Sequence, residues 1–133
     1  MVRPVGTVRS VLVSRKTCPK QGWEGGPEAW LEIDRPFAAG LDGIEVGADI
    51  LVLTWLHRAR RDLLEVHPRG DPTRPLRGVF STRASDRPNP IGLHRVKVLA
   101  RRGATRVQVR PLEALDGTPI LDLKPVLSRP AEW

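Results

Sequence analysis

Glycine and proline interrupt this chain so evenly that no long helix can run through it: 12 glycines and 13 prolines are spread over 133 residues. Proline removes a backbone donor and fixes φ, while glycine weakens the interior of any regular element, so closely spaced copies cut a chain into short pieces. The apolar patterns left between the breaks are β-like, and an all-β fold follows. Residues 5–14 (VGTVRSVLVS) start with alternating character and predict a first strand, and AWLEI at 29–33 predicts a second. The apolar run DILVLTWL at 49–56 predicts a buried central strand, although its periodicity alone also admits a helix. Residues 57–75 turn polar and proline-rich and read as a long surface connection with one short ordered piece at 62–66; loops of that length in a small domain are often functional. RGVFSTR at 77–83 predicts another strand. The strongest local signal is HRVKVLARRGATRVQVRPL: Val96 and Val98 alternate with Arg95 and Lys97, Val107 and Val109 alternate with Arg106, Gln108 and Arg110, and Gly103 supplies the turn of an antiparallel hairpin. ILDLKPVL at 120–127 predicts the last strand. No repeat or composition shift divides residues 1–133, so a single domain is expected.

An apolar content of 40% argues against disorder. No apolar run reaches the roughly 20 residues that span a bilayer, and the opening MVRPVGTVRS lacks the features of a signal peptide. A soluble cytoplasmic protein is therefore expected. One cysteine, Cys18, precludes an internal disulfide and a cysteine-based zinc cluster within one chain. The 22 basic against 15 acidic residues give a formal charge of +7, most of the bases being arginine. That balance suits an anionic partner such as RNA; an arginine-rich composition without such a partner gives the same excess, and charge alone does not choose. The chain has no tyrosine and two phenylalanines, poor material for base stacking of the kind used by RNA-recognition motifs. It has no GxGxxG, no GxxxxGK[ST] and no GxSxG, which removes support for a dinucleotide fold, a phosphate loop or a hydrolase elbow. His57, His67 and His94 show no metal-ligand spacing, so no metal is expected.

Two segments stand out. In RASDRPNPIGL at 83–93, Pro88 and Pro90 restrict Arg87 and Asn89 to extended backbone, Gly92 permits close backbone approach, and Arg83, Arg87 and Asn89 offer polar groups on a preset frame. Such a loop loses little entropy on binding a ligand. The same residues also suit a stiff turn into a strand, with Asn89 capping its own backbone. In DGTPILDLKP at 116–125, Asp-Gly marks a turn, and Asp122 and Lys124 share one face of the strand, either as a solvent-facing ion pair or to orient a partner loop. His57, at the end of the apolar run, can exchange protons near neutral pH, though a lone histidine is more often structural.

GVFSTRASDRPNPIGL followed by LDGTPILDLKP resembles the TrmO (TsaA-like) family of S-adenosylmethionine-dependent methyltransferases. VGTVRS, CPKQG and LVLTWLH extend the similarity more weakly through nearly the whole chain. The resemblance implies a small β-barrel with long connecting loops, a methyltransferase without a Rossmann fold, forming a homodimer with the donor site near the interface. Carried over by matching positions, it implies donor contacts at Pro19, Lys20 and Gln21, at His57 and Arg58, at Arg83 and Leu93, and at Leu112, Glu113, Ala114 and Leu115. Lys20 stands where the family usually has Arg, and Glu113 where it usually has Asp. Typical members methylate the exocyclic nitrogen of threonylcarbamoyl-adenosine beside the anticodon of tRNA. On that basis Arg87 and Asn89 are expected to orient substrate and donor, and His57 or a nearby carboxylate to help the nitrogen lose its proton. A methyltransferase acting on a small molecule or another RNA, and a donor-binding module without catalysis, are the alternatives. Some members carry a further C-terminal domain, which is not expected here because Trp133 closely follows the last motif.

Overall fold

The computed structural model describes residues 1–12 and 27–128. Eight strands appear in chain order: β1 (Gly6–Arg9), β2 (Ala29–Ile33), β3 (Asp49–Trp55), β4 (Glu65–Val66), β5 (Arg77–Gly78), β6 (Ile91–Arg102), β7 (Arg106–Arg110) and β8 (Pro119–Pro125). Six of them form an antiparallel sheet in the order β1-β2-β7-β6-β3-β8 that closes on itself. The closing seam is its shortest, with Gly6 opposite Ile120 and Thr7 opposite Pro119. β1 can run that close to β2 because residue 6 is glycine: a Cβ there would sit 2.3 Å from the Glu32 carbonyl oxygen.

Alternation explains the barrel. Val96 and Val98 of β6, Val107 and Val109 of β7, and Ile50 and Val52 of β3 point inward and are at most 3% exposed, while the intervening charged residues face out. β3 is the central strand expected, lying between β6 and β8, and its burial alternates between buried and half-buried residues because the outer face of the barrel wall meets solvent. Shifts of register in β6–β7 between Val98 and Ala100, and in β3–β8 between Leu53 and Thr54, bend the sheet toward closure. The hairpin turn falls where predicted, with Gly103 at φ 60°.

Two predicted strands are shorter than expected. β1 stops at Arg9 rather than continuing through residue 12, because the Ser10 amide donates to the Asp116 carboxylate at 3.0 Å and the Leu12 amide to Ser10 Oγ at 3.1 Å, turning the chain; residues 13 and 14 lie outside the described residues. The strand expected over 77–83 is only two residues long, followed by a 3-10 turn at Val79–Ser81. Ser81 Oγ donates to the Gly78 carbonyl and Thr82 Oγ1 to that of Val79, so side chains close the turn. A further 3-10 segment, Arg35–Leu41, for which the sequence reading made no prediction, sends Leu41 into the core.

Between β3 and β6 the chain leaves the barrel as an arm. β4 and β5 pair antiparallel in it, through Glu65–Gly78 and Val66–Arg77, and no described helix is long and apolar enough to cross a membrane.

Candidate functional site

β6 starts with Ile91, Gly92, Leu93 and His94, and strand alternation sends Gly92 and His94 to the inner face. Across the ladder Thr54 lies opposite Gly92, and Val52 opposite His94. Because Gly92 has no side chain, the His94 ring leans diagonally over it, and Nε2 reaches Thr54 Oγ1 at 2.8 Å. The other ring nitrogen, Nδ1, meets Glu113 Oε1 at 2.8 Å. An ionised carboxylate only accepts, so His94 then donates through Nδ1. Thr54 is fully buried, His94 is 5% exposed, and the Glu113 side chain retains 12% exposure. This relay thus runs from inside the barrel to a carboxylate at its edge.

That edge is one wall of a cleft of about 1090 Å³ between the barrel and the arm. The chain just past β3 contributes Leu56, His57 and Arg58, and the 113–118 segment contributes Glu113, Ala114, Leu115 and Thr118. The arm faces them with His67, Arg69, Arg74 and Arg77, and the 81–87 loop adds Arg83 and Arg87. His67 Nδ1 lies 2.7 Å from the Arg74 carbonyl oxygen and ties the two sides of the arm together.

The loop 83–93 is strapped to the chain leaving β3. The Leu56 amide donates to the Pro90 carbonyl, the Arg87 amide to that of Arg60, and the Arg60 amide to the Asp86 carboxylate, each within 2.9 Å. Arg61 completes the strap: Nε donates to the Pro88 carbonyl at 2.7 Å, Nη2 to the Asn89 amide oxygen at 3.0 Å, and its guanidinium stacks 5.0 Å from the Trp55 ring. Asn89 therefore does not cap its own backbone with its side chain; Arg61 holds it. The Arg87 guanidinium donates to the carbonyls of Val79 and Thr82 and fixes the 79–82 turn.

Of the residues expected at the donor, His57, Arg58, Arg83, Leu93, Glu113, Ala114 and Leu115 all line this one cleft. Leu112 is fully buried in the barrel core behind it. Pro19, Lys20 and Gln21 lie outside the described residues, as does Cys18. Arg87 lines the cleft, whereas Asn89 is exposed beside it and does not. Asp122 and Lys124 form a solvent-facing ion pair at 3.4 Å. Sequence reasoning missed Thr54, His94 and Arg61. His94 was legible through strand alternation, which places it on the same face as Val96 and Val98.

Chemically, the cleft offers apolar surface, a row of guanidinium groups and one nearly buried carboxylate. It suits a ligand with an apolar body and charges of both signs. Among the described residues no group of three or more His, Cys, Asp or Glu is placed to hold a metal ion.

Residues 7–130 match the tRNA-methyltransferase O N-terminal domain. A probable S-adenosyl-L-methionine-binding protein of Methanothermobacter thermautotrophicus is 47% identical over 124 residues, covering 93% of this chain and 88% of that one. An S-adenosyl-L-methionine-binding protein of Archaeoglobus fulgidus is 40% identical over 124 residues, covering 93% and 87%. Among solved structures, TrmO from Pseudomonas aeruginosa superposes with a TM-score of 0.73 at 32% identity, over 96% of this chain and 55% of that one. The chain thus spans about half the length of that TrmO.

Proposed function

Because this chain belongs to the TrmO family, S-adenosylmethionine-dependent methyltransferases of non-Rossmann fold, we propose that it methylates the exocyclic nitrogen of threonylcarbamoyl-adenosine beside the anticodon of tRNA. The observation that carries this reading is the cleft, where a carboxylate at the barrel edge faces an arm and loop that present Arg69, Arg74, Arg77 and Arg83. A cationic donor and a polyanionic acceptor require opposite signs of charge within one site, and both are present here.

S-adenosylmethionine, when bound, supplies the methyl group from its sulfonium. The residues that fit it are Glu113 for its positive charge, Arg58 and Arg83 for its carboxylate, and Leu93, Ala114 and Leu115 for its apolar surface. In the transfer the nitrogen–carbon bond forms as the sulfur–carbon bond breaks, and the nitrogen gives up its proton. His57, exposed at the cleft rim, is the residue we assign to accept that proton. Arg87 and Asn89 orient the reactants through the loop they help to hold: Arg87 by fixing the 79–82 turn, Asn89 through its bond to Arg61. Alignment of the reacting atoms by this strapped frame supplies most of the rate.

A tRNA acceptor implies that the protein works in the cytoplasm, and the arm's exposed Leu64, Leu76 and Phe80 support a homodimer with the donor cleft near its interface. The test is to incubate the protein with S-adenosylmethionine and tRNA carrying or lacking threonylcarbamoyl-adenosine, and to examine digested nucleosides by mass spectrometry. Methyl gain is expected on the modified tRNA alone. Donor binding without any gain on tRNA would overturn the acceptor assignment and point to a small molecule or another RNA.

A further inference from the structure

A buried histidine with both ring nitrogens engaged is costly to build and rigid once built. Here the cost falls beside the cleft, where Thr54 Oγ1 holds one nitrogen of the His94 ring and the other ring nitrogen meets a single oxygen of Glu113. Neither Thr54 nor His94 has a role in the reaction described above, yet the strand has been shaped around them: any side chain at residue 92 would collide with both. Glu113 differs from the other carboxylates lining the cleft. Glu65 is exposed on the arm, and Asp86 accepts the Arg60 amide in the strap. Glu113 is the one whose orientation is set from inside the barrel, and it stands in a cleft otherwise dominated by guanidinium groups.

We propose that Thr54 and His94 are positioning residues that hold the Glu113 carboxylate at the cleft wall as the counter-charge for the positively charged end of S-adenosylmethionine, its sulfonium and α-ammonium groups. A carboxylate free to rotate would turn toward the nearby arginines and be neutralised by them. Pinned by Nδ1 of a buried ring, it stays directed along one wall, and its charge is not screened as it would be in open water. A negative charge is thereby fixed at the barrel wall of a cleft whose other side carries guanidinium groups. The proposal rests on use of this donor and not on the identity of the acceptor; binding is measured without any acceptor, so a failed tRNA assignment leaves the result standing.

The experiment is equilibrium binding by titration calorimetry with three ligands: S-adenosylmethionine, which carries sulfonium and ammonium; S-adenosylhomocysteine, which keeps only the ammonium; and methylthioadenosine, which has neither. Glu113→Gln is expected to weaken S-adenosylmethionine about tenfold or more, the usual effect of losing one charge-assisted partner, and to leave methylthioadenosine nearly unchanged. A larger loss for S-adenosylmethionine than for S-adenosylhomocysteine identifies the sulfonium as the partner, and equal losses identify the ammonium; both support the proposal. Equal weakening of all three ligands overturns it.

Position 94 separates positioning from folding. The side-chain nitrogen of asparagine lies where Nδ1 lies, and that of glutamine where Nε2 lies. His94→Asn therefore keeps the donor to Glu113, while His94→Gln keeps only the contact to Thr54. His94→Gln is expected to reproduce the ligand pattern of Glu113→Gln, and His94→Asn to retain most of the affinity although both lower the melting temperature. Thr54→Val, which removes only the hydroxyl, gives the same reading at intermediate size should the glutamine variant not fold. Wild-type affinity in His94→Gln, or parallel loss by both variants for all three ligands, overturns the proposal.

Discussion

At Gly92 a single hydrogen atom stands where a side chain has no room, since a Cβ would lie 2.4 Å from Thr54 Oγ1 and 2.6 Å from His94 Nε2. Glycine inside a strand costs conformational entropy and contributes no packing, so its presence in β6 needs a compensating close contact, and the Thr54–His94 hydrogen bond is that contact. Gly92→Ala is expected to push the ring off the hydroxyl, lower stability by about 1–3 kcal/mol as overpacking does, and weaken donor binding with it. Chemical denaturation and calorimetry read the two effects; an alanine variant unchanged in both would mean that the pair separates without consequence. The sequence made Gly92 legible as a point of close backbone approach. It did not reveal what approaches, because Thr54 is 40 residues from His94 and Glu113 is 19 away, separations that no local pattern encodes. Arg61 was hidden for the same reason: in sequence it is half of an arginine pair, and only the fold brings it to Pro88 and Asn89.

Elements held by ladders were legible, and elements held by side chains were not. β2, β6 and β7 follow from alternation because their registers are set by which residues must be buried. The arm has little apolar alternation; its turns are closed by Ser81, Thr82, His67 and Arg87 bonding to backbone carbonyls, and such bonds leave no periodic trace. Charges on the outer faces add a pH dependence to the barrel. Asp49, the first residue of β3, lies opposite Lys97 of β6, and hydrogen bonds from Lys97 and then Arg95 hold its carboxyl below the ordinary 3.8. A carboxyl whose folded-state pKa is depressed stabilises the fold at pH above the unfolded-state value, and that contribution is lost as pH falls through the folded-state one. Wild-type protein should therefore melt higher than Asp49→Asn at pH 6, with the gap closing as pH drops below 3.8. Melting curves from pH 7 to 2.5 check this, and a gap that stays constant with pH would assign the difference to something other than ionisation. Because the Asp49 side chain is partly exposed, salt should shrink the gap as well.

Taken whole, the molecule has a closed barrel that hides its sheet edges and an arm that does the opposite. Closure depends on β1 meeting β8, and the two strands lie at opposite ends of the sequence; alternation predicts that each exists but not that they pair. Resemblance to a known family, rather than pattern, supplied the expectation of a barrel. On the arm, Phe80 is 84% exposed and Leu64 67%. The Val79 amide donates to the Leu64 carbonyl at 2.9 Å, which ties the backbone of Leu64 to the 3-10 turn that carries Phe80. Large apolar groups exposed on joined segments of one arm are the material of an interface rather than of a solvated surface. If the homodimer forms there, Phe80 is its aromatic anchor, and a charge at its place would have to be buried unpaired. Phe80→Asp should then weaken association by about 2 kcal/mol or more, roughly 30-fold in the dissociation constant, and leave the barrel's stability nearly unchanged because the ring contributes nothing to the core. Light scattering on a dilution series would show a dimer mass for the wild type where the variant is already monomeric. A wild type that is monomeric throughout, or a variant that dissociates no more readily, would remove the arm from the interface. Donor titration of the monomeric variant then tests whether the cleft depends on the partner: weakened binding with an intact barrel is the result expected if the second protomer completes the site.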